Sequence, residues 1–501
     1  LERENGGWGA DRVTTLGALA GSAEAREHSR RAERNEPVLV THDRFGNRVD
    51  EVELDPSWHW LLRTGIEHEV HALPWREEQA GAHVVRAALM ATWAHTNGGV
   101  MCPISMTHAV IPALREGPAD VVEMWEPRLT STNYETGAIA GMAMTEKQGG
   151  SDVRANTTRA EPAGDGEYEI WGHKWFCSYP PCDVFLILAQ APGGLSCFLV
   201  ERGPGMEFQR LKDKLGTRSL ASSEVEFRGI RARMIGEEGR GVPTIIQMVN
   251  HTRLDCLIGS ATAMRRSVLE AVHHARNRSA FGDKLVNQPA MMNVLADLAI
   301  ETEAATAAMM RVARSFDDGD AMFRRFGTAI MKYWVCKRAP GVAGEGLECL
   351  GGNGYVEDSG MPLIYRDSPL ASIWEGSGNV AALDVLRAMA KEREGLPVFL
   401  DECYLAAGAN RYLDKHLEQL GSRLGAMISP DDPHFIDAQF SARRVVEDLA
   451  IALQASLLVR NAPAAVSDAF CAARIGDGGR VYGTLPKGVD AKAIIERVLP
   501  A

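Results

Sequence analysis

The spacing of apolar and polar positions changes character along the chain. Residues 1–130 read as mainly helical. Val84–Ala94 (VVRAALMATWA) is rich in small apolar residues with few breakers, and Pro103, Pro112 and Pro118 punctuate the next helices. Across 131–235 the period shortens. Tyr168–Ile170 alternates, Val184–Ala189 (VFLILA) and Cys197–Val200 (CFLV) are short apolar runs, and Val225 and Phe227 sit between charged residues, so this stretch is expected to form strands of one compact β unit. From about Val242 the helical period returns. Met291, Leu295, Leu298, Ala305, Met309 and Val312 fall on one helix face, the pattern of a bundle. Glu392–Pro397 (EREGLP) interrupts it, and beyond, Val446, Leu449, Ala450, Leu453 and Leu457 mark another helix face. The expected architecture is α+β, mainly α, in four segments: a helical domain at 1–130, a β-barrel-like domain at 131–235, a helical bundle at 236–391 and an additional helical domain at 392–501.

Composition narrows this little. The 501 residues are 45% hydrophobic and 24% charged, an ordinary globular balance. No run of ~18 apolar residues predicts a membrane span. The first residues (LERENGGW) contain no apolar segment of the secretory kind, so a cytoplasmic protein is expected. The nine cysteines include no C-x-x-C pair and the 14 histidines no H-E-x-x-H, so buried thiols and no metal site are expected. The net charge of −12 disfavours nucleic acid.

Five stretches carry candidate chemistry. In Gly141–Val153 (GMAMTEKQGGSDV), Thr145 and Ser151 offer hydroxyls, and Gly149-Gly150 permits close approach to a flat ligand or forms a plain turn. Gly172–Ser178 (GHKWFCS) sets two aromatics before a hydroxyl on a strand; they serve as core or as a face for an aromatic ring. In Arg276–Gln288 (RNRSAFGDKLVNQ), Arg278 suits a pyrophosphate, or a solvated surface. Glu345–Tyr355 (EGLECLGGNGY) ends a helix in glycines but lacks the G-x-G-x-x-G spacing and βαβ setting of a Rossmann site. In Tyr365–Asn379 (YRDSPLASIWEGSGN), Glu375 stands between Trp374 and Gly376, as a first-turn carboxylate at a helix start or as a general base in a water-poor cleft.

Taken in order, MTEKQGGSD, GHKWFCS, the KLGTRS strand at Lys214–Ser219, RSAFG with Gln288, ECLGGNGY and YRDSPLASIWEGS resemble the signature elements of the acyl-CoA dehydrogenase family over residues ~60–390. MTEKQGGSDV, LKDKLGTRS, SIWEGSGN, Leu73–Glu78 and the added C-terminal helices are most similar to its AidB-like branch, the alkylation-response flavoproteins.

The resemblance implies non-covalent FAD at a subunit interface in a dimer of dimers. It assigns the flavin lining to Met142, Met144, Thr145, Gly150 and Ser151, the ring and its N5 edge to Phe176, Cys177 and Ser178, and the phosphates or adenosine to Arg278, Phe281, Gln288, Glu348, Gly351 and Gly352. Ile373, Trp374, Gly376, Ser377 and Asn379 are implied to close over the cofactor, and Arg253 to border the substrate groove. The implied reaction is α,β-dehydrogenation of a short or branched acyl thioester with Glu375 as base. Electrons would pass to an electron-transfer flavoprotein or oxygen. Some relatives carry the base just before an Arg on an earlier helix; here that position is Thr252, before Arg253, and a threonine cannot serve. Glu348 departs from the Gln common in relatives, and Trp374 from the commoner Tyr. The alternatives are a DNA-associated protein of the alkylation response and another flavin oxidase or monooxygenase reaction. For DNA, residues 391–501 hold 13 Lys and Arg against 15 Asp and Glu, poor support for phosphate neutralisation.

Overall fold

A computed structural model describes residues 1–425 and 435–499. The chain separates into two compact units, Leu1–Asp255 and Cys256–Ala501.

The first unit opens with helices, including Ala10–Ala20, Ala23–Arg34, Pro56–Glu67, Ala82–Ala94, Met101–Leu114 and Ala119–Leu129. Side-chain caps start two of them: Ser22 accepts from Ala25 N–H, and Asp55 accepts from Ser57 N–H ahead of Pro56 in the first turn. Pro103 and Pro112 do not end Met101–Leu114. Pro103 lies in its first turn, where its N–H would have no intrahelical partner; Pro112 lies in its last turn, and the His108 carbonyl it leaves unbonded accepts from Trp75 Nε1 instead. Between the helices stands a hairpin that the helical reading of 1–130 does not contain, β1 (Val38–His42) against β2 (Arg48–Glu53). Its turn is organised by Asp43, whose carboxylate accepts from Phe45 and Asn47 N–H.

The β region has seven strands: β3 (Ala140–Ala143), β4 (Arg159–Gly164), β5 (Glu167–Ser178), β6 (Val184–Ala191), β7 (Gly194–Glu201), β8 (Met206–Leu211) and β9 (Ser222–Ile235). The pairings close a ring, β6–β4–β5–β9–β7 and back to β6, with β3 added parallel to β6 and β8 antiparallel to β9. Val184–Ala189 is fully buried, which is why β6 reads as a continuous apolar run rather than an alternation. Lys214–Ser219 is not the strand the motif suggests. It is a loop between β8 and β9, turned by Thr217 at φ 48° and tied down by Lys214, whose ammonium donates to the Leu220 carbonyl.

The second unit is helical. Pro289–Asp317, Ala321–Cys349 and Gly378–Lys391 are followed by Gly395–Tyr404, Arg411–Gly425, Phe435–Asn461, Ala464–Arg474 and Ala491–Val498, all in one compact body. Leu295, Leu298, Ala305, Met309 and Val312 are buried, as are Val446, Leu449, Ala450, Leu453 and Leu457. Buried ion pairs join the later helices to the earlier ones. Glu301 accepts from Arg338 (3.0 Å) and Arg474 (2.7 Å), and Glu402 from Arg311 (2.9 Å) and Arg460 (2.6 Å). Burial alone would raise the Glu301 carboxyl; Arg338 and Arg474 outweigh it and hold it down at about 2. All nine cysteines are buried free thiols. No helix among the described residues is long and apolar enough to cross a membrane.

Candidate functional site

The candidate residues fall into two groups, one in each unit. In the first unit, Met142 lies on β3, and Met144 and Thr145 follow in the loop leading from it. That loop lies against β5, because Trp175 N–H donates to the Thr145 carbonyl at 2.8 Å. A Cβ on Gly150 would fall 2.3 Å from Thr145 Oγ1, so the turn requires a glycine there. Ser151 is exposed beside it. Further along β5, Phe176 is 46% exposed while Cys177 is fully buried: the pleat turns one residue out and the next in. Ser178 is half-buried. The Lys212 ammonium lies 3.1 Å over the Trp175 ring and 4.9 Å from that of Phe176.

Beneath this surface runs a buried bolt that motif reading did not single out. Lys174, wholly buried, donates to Glu146 at 2.9 Å and to the Leu188 carbonyl at 2.8 Å. Glu146 also accepts from Thr157 N–H, Thr158 N–H and the Thr157 hydroxyl. Burial would raise its carboxyl, but Lys174 and the hydrogen bonds prevail and hold it at about 2. The T-E and H-K elements of the two motifs are therefore one structural joint. Arg253 is buried, and the Thr252 hydroxyl donates to Val249 O within its own helix.

In the second unit, Arg278, Leu350 and Asn353 line one cleft of about 400 Å³ with Glu270, His273 and His274. Gly351 adopts φ 60°, and Cβ atoms on Gly351 or Gly352 would meet nothing within 4 Å, so their backbone is open to a ligand. Glu348 is exposed on the last turn before them. Phe281 tops a two-residue hairpin turn, 97% exposed at φ 53° with Gly282 at 87°, the geometry of a type I′ turn. Gln288 donates to Ala280 O at its base.

Glu375 is held differently. Its φ is 56°, a left-handed conformation that a glutamate adopts only under constraint, and Gly376 follows at 102°. Lys332, buried on Ala321–Cys349, donates to the carbonyls on either side, Trp374 O at 2.8 Å and Gly376 O at 2.6 Å. Trp374 Nε1 is buried and lacks a hydrogen-bond partner in the described structure. Ile373 is 61% exposed. Ser377 precedes Gly378–Lys391, and Asn379 Oδ1 accepts from Arg443 at 2.8 Å. The residues of each unit thus suit a flavin dinucleotide: an exposed aromatic on a rigid strand beside hydroxyls in one, and in the other Arg278 in a polar cleft, with open glycine backbone in sequence between its Leu350 and Asn353.

The matching family models are the adaptive response protein AidB N-terminal domain at residues 1–136 and the acyl-CoA dehydrogenase middle and C-terminal domains at 141–230 and 239–390. Escherichia coli AidB is 41% identical over 445 residues, 85% of this chain and 82% of that protein. Acyl-CoA dehydrogenase family member 11 of Caenorhabditis elegans is 31% identical over 79% and 70%. Among solved structures, C. elegans ACDH-11 in complex with C11-CoA superposes with a TM-score of 0.86 at 28% identity, covering 98% of this chain and 90% of that one. The chain belongs to the acyl-CoA dehydrogenase family, on its AidB-like branch, and is an FAD-dependent oxidoreductase acting on CH–CH groups.

Motif reading also passed over a cluster in the first unit. His83, His108 and His251 each offer a ring nitrogen within 4.8 Å of the others. Positions 83, 108 and 251 have no spacing signature; only the packing of three helices unites them. Burial first, then Arg86 and the two neighbouring histidines, push the His108 imidazole well below its ordinary range.

Proposed function

We propose that the protein dehydrogenates an acyl thioester between Cα and Cβ, with Glu375 as the base that removes the α-proton. The observation that carries this reading is the left-handed backbone at Glu375, held by Lys332 through the two adjoining carbonyls. Strain retained at one carboxylate and maintained by a buried cation suits a side chain that must be aimed. The Thr252 hydroxyl, bound back into its own helix, leaves the earlier base position without a proton acceptor. The Glu375 N–H is the candidate donor to the thioester carbonyl, where it would stabilise the charge that develops as the proton leaves. FAD, when bound, supplies the hydride acceptor. Phe176 and Ser178 are assigned to the ring and its edge, Thr145 and Ser151 to polar contacts, and Arg278 with Gly351-Gly352 to the pyrophosphate.

The acyl group proposed is short or branched, in a dimer of dimers that passes electrons to an electron-transfer flavoprotein or oxygen. The C11-CoA held by the worm relative extends the test panel to medium chains. DNA association is the weaker reading. Several of the tail's arginines are engaged with carboxylates of their own unit: Arg444 with Asp448, Arg460 with Glu402, Arg474 with Asp297 and Glu301, Arg497 with Glu303. The deciding experiment is anaerobic bleaching of the oxidised flavin by a panel of short, branched and medium acyl-CoAs, beside Glu375→Gln. Bleaching by a thioester that is lost in the variant supports the reading. Bound, dithionite-reducible flavin that no thioester bleaches overturns it.

A further inference from the structure

We propose that His83, His108 and His251 form a binding site for one divalent transition-metal ion of the zinc type, built inside the first unit and independent of the flavin chemistry. The three ring nitrogens lie within 4.8 Å of one another and all three residues are buried. The ring centroids are 5.7 Å apart for His83 and His108, 5.6 Å for His83 and His251, and 5.1 Å for His108 and His251. Three imidazoles on a tetrahedral ion at ~2.05 Å need nitrogens roughly 3.4 Å apart, a closure that small side-chain rotations supply.

The orientation of His108 is the second observation. Its Nδ1 lies 2.9 Å from the His71 carbonyl, an acceptor only, so Nδ1 carries the proton and donates. That leaves Nε2 as a lone pair, and Nε2 is buried with no hydrogen-bond partner in the described structure. A histidine whose far nitrogen is fixed by a backbone carbonyl while the near one presents a lone pair is the arrangement metal-ligating histidines adopt. A buried acceptor left unsatisfied there otherwise weighs against the fold.

The surroundings suit a cation. Trp75 packs against all three rings, with centroids at 5.3 Å from His83, 5.0 Å from His108 and 5.4 Å from His251, and its Nε1 donates to His108 O at 3.0 Å. The buried Arg86, on the helix that carries His83, is neutralised by a two-pronged pair with Asp255, one arm at 2.8 Å. Three imidazoles with no thiolate or carboxylate among them favour zinc-like ions over calcium or magnesium and leave a fourth position for water. Bound there, the ion would cross-link Ala82–Ala94 and Met101–Leu114 to Gly241–Asn277, the helix that carries Arg253 two residues after His251.

The test uses tag-free, flavin-loaded protein stripped with chelator and dialysed against Zn²⁺ or, as a spectroscopic probe, Co²⁺. The expected result is about one ion per chain by elemental analysis, with Co²⁺ showing visible ligand-field bands of a low-coordinate nitrogen site. His108→Gln and His251→Gln should each weaken binding about 10-fold or more while flavin content stays as in the wild type. Wild-type protein that takes up no ion, or shows no such bands, overturns the proposal, and so does uptake unchanged in both variants. Should a variant fail to fold, the wild-type cobalt spectrum decides by itself, since neither flavin nor surface imidazoles give it.

Discussion

Two glutamates of the recognised motifs, Glu146 and Glu375, have opposite fates. Glu146 is 2% exposed and accepts from Lys174, Thr157 and Thr158, so every lone pair it can direct inward has a donor. Its carboxyl, held at about 2, has no proton affinity to spend on substrate near neutral pH. Glu375 sits on strained backbone that is itself the thing held, through Lys332 and the carbonyls of Trp374 and Gly376. Both sites use a buried lysine, and the difference lies in what it grips. Lys174 binds the carboxylate and makes it a joint; Lys332 binds the backbone carbonyls that flank Glu375. The proposed roles, joint for Glu146 and base for Glu375, follow that difference.

Substitutions test the contrast. Removing the proton acceptor with Glu375→Gln should lower the rate of flavin bleaching by about 10²–10⁴-fold with flavin content unchanged; near-native bleaching would remove Glu375 from the chemistry. Glu146→Gln should instead leave Lys174 uncompensated and cost ~3–5 kcal/mol in denaturant unfolding, while Glu146→Gln with Lys174→Met costs less than the two single changes summed. Equal additivity would mean the pair does not act as a unit. Lys332→Met should slow bleaching by about 10²-fold while binding of the thioester changes little, because the loop loses its aim rather than a substrate contact. A variant that binds thioester poorly but turns it over normally would contradict a positioning role.

The acid response arises from the depressed carboxyls. Glu146 and Glu301 ordinarily titrate at 4.5 and are held at about 2 in the folded protein. Their contribution is complete above pH 4.5 and is lost as pH falls through 2, so unfolding midpoints should drop across that window. A flat profile there would contradict both assignments. The smallest effect is expected of Gly150→Ala, whose added carbon meets Thr145 Oγ1 and should cost ~1–3 kcal/mol, read as a lowered melting temperature.

Much of the architecture was legible because period and burial obey simple geometry. The fully buried β6 reads as an unbroken apolar run, and Pro289–Asp317 and Phe435–Asn461 as helical faces. The hairpin at Val38–Glu53 was not legible, since its strands are short and mostly exposed and alternate weakly. Lys214–Ser219 misled for the converse reason: a polar run between two real strands reads as their continuation until Thr217 turns the chain.

By itself the sequence determined the order of α, β and α segments, the family and the list of candidate flavin and base residues, because these rest on local period and on motifs a few residues long. Only the tertiary structure decided that Glu146 and Lys174 close on each other, that Lys332 reaches across 42 residues to hold Trp374, and that His83, His108 and His251 face one another. Those are long-range pairings of single polar side chains. Nothing in a local pattern specifies them, because the packing of helices and strands, not the neighbours in sequence, brings the partners within reach.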